Sequence, residues 1–181
     1  MSEGEIKILL VEDNPGDARL LELALQDIPG MDAQLEYARS LVEEKLQLSR
    51  QKYDVVLQDL GLPDSVGIET LHRVLSEFKE VPIVVLTGLN DEYVALQAVQ
   101  AGAQDYLIKG QIDGNILGKA IRYAIERHRN LEKIKLAEQE INHLYSSLLH
   151  DLKTASEIQT YLLPDDLIIH NNIQFSSFYN P

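Results

Sequence analysis

The sequence contains no cysteine, so the chain can form neither a disulfide framework nor a thiolate metal site. It also lacks an apolar run long enough to cross a membrane, because the first apolar stretch is short and flanked by acids. Hydrophobic residues make up 45% of the chain, which is ample for a buried core. We therefore expect a cytoplasmic protein with no membrane attachment.

Basic residues are scarce in the first part of the chain. Residues 1–115 hold 9 basic and 21 acidic side chains, a net charge of −12, whereas residues 116–181 hold 7 and 8, a net charge of −1. Attraction to nucleic-acid phosphates needs a basic face, so we predict no nucleic-acid partner. A solvated helix face explains the basic stretch at 119–135, and a nucleic-acid or acidic partner for it is the alternative.

Strand and helix patterns alternate between residues 6 and 110. Short apolar runs predict five strands, at 6–12, 33–38, 53–59, 82–88 and 104–110. Amphipathic segments between the runs predict helices, and Ser40 with Glu43 predicts a capping box at the start of one. This order predicts an α/β fold, a doubly wound five-stranded parallel sheet with helices on both faces. Ligands of such sheets bind at the carboxyl ends of the strands.

Polar residues stand where four of these strands end. Glu12 and Asp13 follow the first strand, and Asp59 ends the third. Thr87 ends the fourth strand, and Lys109 the fifth. Crowded carboxylates repel one another unless a cation lies among them, and such hard oxygen ligands suit Mg²⁺. Each residue taken singly is explained as a solvated or capping side chain, but their convergence predicts a phosphoryl-transfer site.

The segments that carry these residues resemble the receiver domain of two-component response regulators. The matching segments are VEDN (11–14), QDLGLPD (58–64), LTG (86–88) and DYLIKG (105–110). The likeness covers residues 5–127 and implies a flavodoxin-like receiver fold. It also implies a phosphorelay partner, a histidine kinase or phosphotransfer protein. Such a receiver catalyses its own phosphorylation and dephosphorylation.

The same resemblance implies a role for each residue of the site. Asp59 would be the phosphoacceptor that becomes an aspartyl phosphate. Mg²⁺ would be held by Glu12, Asp13, Asp59 and the backbone carbonyl of Gly61. Lys109 would contact the phosphoryl oxygens.

The resemblance also implies a switch, in which Thr87 contacts the phosphoryl group and Tyr106 turns inward. Two residues depart from the family pattern. Gly110 stands where receivers usually have a proline after a cis peptide bond, and a cis bond before a non-proline residue costs about 2.5–4 kcal/mol, so we expect a trans bond. Gly88 stands where alanine is common, and its backbone freedom predicts a looser switch loop.

From Asn115 the pattern predicts one long helix, with no glycine or proline between Lys119 and Leu163. Apolar residues recur at heptad spacing at Ile134, Ile141, Leu148, Ala155 and Leu162, with a second seam at Ala137, Leu144 and Ile158 that Asp151 interrupts. An earlier set, Ile121, Ala124, His128 and Leu131, is in a different phase, which predicts a register shift near residues 131–134.

The predicted helix would extend about 68 Å at 1.5 Å per residue, too far to pack back on a small receiver. We therefore predict a homodimer through a coiled coil, and a helix that folds back or frays is the alternative. The predicted order is a receiver domain over 1–127, a helical coiled-coil linker over 119–163 continuous with the last receiver helix, and the start of an output domain over 164–181.

The segment ASEIQTYLLP (155–164) resembles the opening of the metal-dependent Ser/Thr phosphatase domains of bacterial stress and sigma-factor pathways. The chain ends before the acidic metal motif of those enzymes, so we expect no phosphatase active site in it. A competing segment, HDLKTA (150–155), resembles the phosphoacceptor box of sensor kinases and makes His150 the alternative nucleophile. A further alternative is a receiver that is not phosphorylated and serves for docking.

Overall fold

The structure is a computed structural model that describes residues 5–88, 92–162, 168–170 and 173–175. Its strands are β1 (Ile6–Val11), β2 (Ala33–Ala38), β3 (Val55–Asp59), β4 (Gly61–Leu62), β5 (Ser65–Val66), β6 (Ile83–Thr87), β7 (Asp105–Ile108), β8 (Ile168–His170) and β9 (Ile173–Phe175). Its helices are α1 (Pro15–Gln26), α2 (Leu41–Arg50), α3 (Ile68–Glu77), α4 (Glu92–Ala101) and α5 (Gly114–Leu162). The chain divides after Glu132 into two compact units.

The first unit contains a five-stranded parallel sheet with the strand order β2-β1-β3-β6-β7. The doubly wound, flavodoxin-like fold that the sequence predicts is confirmed. The register aligns the carboxyl ends of the central strands, since Val11 pairs with Gln58 and Thr87 pairs with Ile108. Glu12, Asp59 and Lys109 consequently follow one another along the same edge of the sheet.

Two hydrophobic cores cover the two faces of this sheet. One contains residues of α1 and of the first part of α5, and the other contains residues of α2, α3 and α4. Side chains alternate between the cores along each strand: Ile8 and Leu10 face the first, whereas Leu9 and Val11 face the second. Both sets of side chains are buried, which explains why the strand sequences are continuous apolar runs.

A small antiparallel hairpin, β4–β5, follows Asp59 directly. The sequence predicts only a loop here, because the strands are two residues long and lie among turn-forming residues. The hairpin buries Leu62 and is closed by a hydrogen bond of 2.7 Å from the Gly67 N–H to the Leu60 carbonyl. It gives the segment after Asp59 a defined shape.

Helix α5 begins at Gly114, one residue before the change of pattern at Asn115. The Asp113 carboxylate accepts a hydrogen bond from the Ile116 N–H at 2.7 Å and so caps the helix. A Cβ atom on Gly114 would lie 2.9 Å from the Ala24 carbonyl oxygen, and one on Gly118 would lie 2.9 Å from Ile28 Cγ2. These glycines therefore permit close packing of α5 against the α1 segment.

Helix α5 continues to Leu162, so the long C-terminal helix that the sequence predicts is confirmed. The early apolar phase of the helix predicts a register shift near residues 131–134, but its residues Ile121 and Ala124 are buried in the core of the first unit. The change of phase therefore marks the end of packing against that core. Residues 129–158 are all exposed.

Beyond α5, strands β8 and β9 pair in antiparallel fashion, with Ile168 opposite Phe175. Leu163 and Pro164, which carry part of the phosphatase-like segment, lie outside the described residues. None of the helices in the described ranges combines the length and apolar character that a membrane span requires.

Candidate functional site

The ammonium group of Lys109, at the end of β7, lies among three carboxylates. Its Nζ atom is 2.6 Å from Glu12 Oε2, 3.0 Å from Asp59 Oδ2 and 3.4 Å from Asp17 Oδ2. A lysine ammonium group has three N–H donors, so each carboxylate can accept one of them. The sequence-predicted residues Glu12, Asp59 and Lys109 are thus brought together at the carboxyl edge of the sheet.

Three acids of this edge form a cluster that could hold a metal ion. Glu12, Asp13 and Asp59 each offer one carboxylate oxygen, and these oxygens lie within 4.8 Å of one another. Glu12 is 3% exposed and Asp59 is 9% exposed, whereas Asp13 is open to solvent. Oxygen ligands from one or two carboxylates with room for water are what Mg²⁺ prefers, so the donor set fits this ion.

Gly61 of β4 lies beside the phosphoacceptor candidate. A Cβ atom at this position would be 3.5 Å from Asp59 Oδ2, so the backbone of β4 runs close to the carboxylate. The hairpin that the sequence did not predict is what brings this backbone there.

The electrostatics of the pair Glu12 and Lys109 reflect their burial. Desolvation raises the pKa of Glu12 above its ordinary value, and the nearby charge of Asp59 adds to the rise, although the hydrogen bond with Lys109 opposes it. Desolvation also lowers the pKa of Lys109, but its contacts with Glu12 and Asp59 together outweigh that effect and raise the pKa. Lys109 therefore carries its positive charge at neutral pH.

Local backbone structure holds the two buried acids in place. Glu12 Oε1 accepts a hydrogen bond from the Asn14 N–H at 3.1 Å, and Asn14 caps α1 by accepting one from the Gly16 N–H at 2.8 Å. Asp59 Oδ1 accepts one from the Leu60 N–H at 2.8 Å. The turn from β1 into α1 and the turn after β3 thus fix the side chains that face Lys109.

The two switch candidates lie on β6 and β7, the strands that end at the same edge of the sheet as Lys109. Thr87 is buried, and its hydroxyl donates to the Leu107 carbonyl over a long 3.5 Å. Tyr106 is half-buried and packs against the core formed with α2, α3 and α4. The Lys109–Gly110 peptide bond is trans, as expected, and Gly110 has a φ of 84°, which proline cannot adopt.

Asp17 is a site residue that sequence reasoning missed. It lies in the first turn of α1 and contributes the third carboxylate around Lys109. Its signal in the sequence is position alone, since the first turn of a helix that follows β1 must start at the same edge of the sheet. An acid in the first turn of a helix also interacts favourably with the helix dipole, and this alone would explain the presence of Asp17.

A parallel α/β sheet with an acid cluster and a lysine at its carboxyl edge defines the receiver class of signalling domains. The chain belongs to the response regulator receiver domain family, whose model matches residues 8–122. The predicted resemblance to receivers of two-component systems is therefore confirmed. Receiver domains generally bind Mg²⁺ at an acidic pocket and interact with histidine kinases or phosphotransfer proteins.

Individual proteins agree with this membership. The KDP operon transcriptional regulatory protein KdpE of Escherichia coli is 36% identical over 121 residues, which cover 67% of this chain and 52% of KdpE. The transcriptional regulatory protein DpiA of Escherichia coli is 31% identical over 135 residues, covering 75% of this chain and 59% of DpiA. The chain thus spans less than two thirds of the length of these relatives.

A solved structure shows the same fold. The response regulator receiver domain protein from Clostridium thermocellum superimposes with a TM-score of 0.60 at 25% identity, over 70% of this chain and 98% of that one. Nearly all of that receiver domain therefore has a counterpart here, and the rest of this chain extends beyond it.

Proposed function

We propose that Asp59 accepts a phosphoryl group from the phosphohistidine of a histidine kinase or phosphotransfer protein, in a reaction that depends on Mg²⁺. The observation that carries this proposal is the convergence of Lys109 and the acids Glu12, Asp13 and Asp59 at one edge of the sheet. A carboxylate nucleophile, a fixed cation and a set of metal ligands are the parts that phosphoryl transfer requires.

In the proposed reaction, a carboxylate oxygen of Asp59 attacks the phosphorus atom. A phosphorus–oxygen bond forms as the phosphorus–nitrogen bond of the donor breaks, and the electron pair of that bond returns to the imidazole of the donor. Lys109 Nζ, 3.0 Å from Asp59 Oδ2, then donates to a phosphoryl oxygen. Mg²⁺ held by Glu12, Asp13, Asp59 and the Gly61 carbonyl would neutralise the charge that develops on these oxygens.

The contacts of Thr87 support its role in the switch. Its hydrogen bond to the Leu107 carbonyl is long and therefore weak, so little is lost when the hydroxyl turns toward a phosphoryl oxygen. Movement of Thr87 would vacate space beside β7, and Tyr106 on that strand would turn inward. Phosphorylation would in this way change the surface near Tyr106.

The test of this function is phosphoryl incorporation from acetyl phosphate with and without Mg²⁺, measured by intact mass. One phosphoryl group per chain should appear with Mg²⁺, and Asp59→Asn should remove it. The exposed acid Glu69 provides a matched control, since Glu69→Gln should be labelled like the wild type. Undiminished labelling of Asp59→Asn would show that another residue is the acceptor.

Two further variants separate the proposal from the alternatives in the sequence. His150 lies on the exposed part of α5, and His150→Gln should be labelled normally if Asp59 is the acceptor. A docking receiver that is not phosphorylated predicts no stabilisation by Mg²⁺. We expect a Mg²⁺-dependent rise in melting temperature that is absent in Asp13→Ala.

We also propose that the exposed part of α5 forms a parallel coiled coil with a second copy of the chain. Its heptad positions Ile134, Ile141, Leu144 and Leu148 are all more than half exposed, which favours a partner that would cover them. Sedimentation should show a dimer that Ile141→Asn with Leu148→Asn dissociates. The control pair Gln139→Asn and Ser146→Asn, off the stripe, should remain dimeric.

For the output, two candidates are supported by different observations. The segment 155–164 resembles the opening of Ser/Thr phosphatase domains, and its first residues continue α5. KdpE and DpiA are transcriptional regulatory proteins, which supports a transcriptional output instead. Release of phosphate from a phosphoserine protein, with Mn²⁺ present, would favour the phosphatase, and sequence-specific DNA retention would favour the regulator.

A further inference from the structure

Two polar side chains are completely buried behind the phosphoacceptor. Glu44 of α2 and Gln58 of β3 are both 0% exposed, and Gln58 directly precedes Asp59. Gln58 occupies the strand position that faces the core formed with α2, α3 and α4, because Val56 two residues earlier faces it. Within the described residues, both Glu44 oxygens and Gln58 Oε1 have no hydrogen-bond partner. Unsatisfied buried polar atoms are costly, so their presence needs an explanation.

The other end of the Gln58 amide reaches the phosphoacceptor backbone. Gln58 Nε2 donates a hydrogen bond to the Asp59 carbonyl oxygen at 2.8 Å. The N–H of the same peptide unit, which belongs to Leu60, donates to Asp59 Oδ1 at 2.8 Å. The peptide unit between Asp59 and Leu60 therefore makes two hydrogen bonds. Its carbonyl accepts from the Gln58 side chain, and its N–H donates to the Asp59 carboxylate. Rotation of this plane would turn the carboxylate away from Lys109.

Glu44 can supply the hydrogen-bond donor that Gln58 Oε1 lacks. Burial raises the pKa of Glu44 to about 8, although the adjacent Gln58 amide and the charge of Lys45 lower it and the charge of Asp64 raises it. An isolated carboxylate is too costly to bury without a partner, so the neutral acid is the form that fits this core. Its O–H is a donor, and Gln58 Oε1 is an acceptor without one.

Helix α2 is also attached to the segment after Asp59 at a second point. Asp64, in the turn of the β4–β5 hairpin, accepts hydrogen bonds from the Leu41 N–H at 2.9 Å and the Val42 N–H at 3.0 Å. These two N–H groups lie in the first turn of α2, where the helix itself offers them no acceptor. The helix that carries Glu44 is thereby fixed relative to the strand and hairpin that carry Asp59.

We propose that Glu44 and Gln58 are positioning residues for phosphoryl transfer, in which the neutral Glu44 carboxyl donates to Gln58 Oε1 and Gln58 fixes the Asp59–Leu60 peptide that orients the Asp59 carboxylate. This inference rests on the proposed function of Asp59. It assigns no chemical step to either residue, since both act through the peptide plane.

The test compares the initial rate of phosphoryl incorporation from acetyl phosphate, at pH 7 and saturating Mg²⁺, with stability toward urea. Gln58→Met keeps the volume but removes the hydrogen bonds, and should slow incorporation about tenfold, the effect of one lost hydrogen bond of about 1.4 kcal/mol. The double variant Glu44→Met with Gln58→Met also removes the unpartnered Glu44 carboxyl, so it should be more stable than Gln58→Met and yet equally slow. Recovery of the wild-type rate in the double variant would mean a purely structural pair and overturn the inference.

Glu44→Gln supplies the second variant, because its amide keeps a neutral donor of the same shape and should preserve the fold. Its rate should stay within about twofold of the wild type at pH 7. As pH rises through 8 to 9, the rate of the wild type should fall relative to that of Glu44→Gln, since an ionised Glu44 cannot donate. Parallel pH profiles of the two proteins would overturn the inference even if Gln58→Met failed to fold.

The proposed function and this inference fail in different ways. Absence of label on Asp59 in the wild type would overturn the proposed function and the positioning role with it. Normal labelling of the wild type together with an equal rate in folded Gln58→Met would overturn the positioning role alone.

Discussion

Helix α5 contains two regions that use the same kinds of residue in opposite ways. Ile121, in the first unit, is fully buried against the sheet, whereas Ile141, in the second, is 64% exposed. Both lie on regular helix with apolar neighbours at helical spacing. The difference teaches that apolar spacing along a helix predicts the existence of a contact surface but does not say whether the chain itself covers that surface.

The largest expected effect concerns Glu44, a titratable group buried in the first unit, whereas the described residues of the second region of α5 are exposed. The pKa of Glu44, about 8 in the folded protein, exceeds its ordinary value of 4.5, so between these pH values the native state binds more protons than the unfolded state. Stability from this group is fully present below pH 4.5 and is lost as pH rises to 8, by about 5 kcal/mol at most. Urea unfolding at pH 5, 6, 7 and 8 should show that the free energy of unfolding falls less steeply with pH in Glu44→Gln than in the wild type. Identical slopes would contradict the raised pKa.

The second effect tests burial directly along α5. Ile121→Ala should lower the free energy of unfolding of the first unit by about 2–5 kcal/mol, because it leaves a cavity in a packed core. The matched substitution Ile141→Ala removes the same atoms from an exposed position and should change that value by less than about 0.5 kcal/mol. Urea denaturation at low protein concentration, followed by circular dichroism, compares the two. Equal losses would mean that the second region is covered as fully as the first.

The third effect separates a contact between two distant segments from one within a single helix of the first unit. Asp64→Ala removes the acceptor for two backbone N–H groups of α2 and should cost about 1–2 kcal/mol of stability, as loss of a helix cap does. Glu69→Ala serves as the control, because Glu69 is exposed and pairs only with Arg73 in the contacts described. Asp105 is less suitable as a control, because its carboxylate also accepts a backbone hydrogen bond, from the Tyr106 N–H. A loss no larger than that of the control would show that Asp64 does not secure α2.

The smallest effect concerns the edge of the site. Asp17 is the most distant of the three carboxylates around Lys109 and competes with an incoming phosphoryl group for the ammonium. Asp17→Asn should therefore raise the initial rate of phosphorylation by about threefold, in keeping with the weak energy of an exposed ion pair. Glu22→Gln, which breaks an ion pair with Arg19 on the same helix, provides the control. A slower Asp17→Asn would mean that Asp17 assists the reaction.

The sheet and the acid cluster could be predicted because each depends on local sequence. Five apolar runs specify buried strands, and the parallel arrangement then places whatever follows each run at one edge. Glu12, Asp59 and Lys109 follow such runs, so their meeting was predictable without any knowledge of side-chain contacts. The exposed stripe after Glu132 was predictable for the same reason, since heptad spacing is a local pattern.

The features that sequence reasoning missed depend on contacts between distant segments. Glycine disfavours helices, yet Gly118 lies within α5 and allows close packing against Ile28. Gln58 is a polar residue within an apolar strand, and Glu44 occupies a helix position that faces the core. Each signal is visible in the sequence, but only the fold shows that the two residues lie together.

The continuity of α5 has a consequence for how the first unit responds to concentration. The helix supplies Ile121 to a core and Ile141 to an exposed stripe, so a ligand of the stripe binds only when the helix is folded. Any such ligand, a second copy included, shifts the folding equilibrium by mass action, by about 2.7 kcal/mol at a hundredfold excess over its Kd. If the proposed dimer forms, the melting temperature of the protein should therefore rise with the logarithm of protein concentration, so that folding and assembly are one equilibrium.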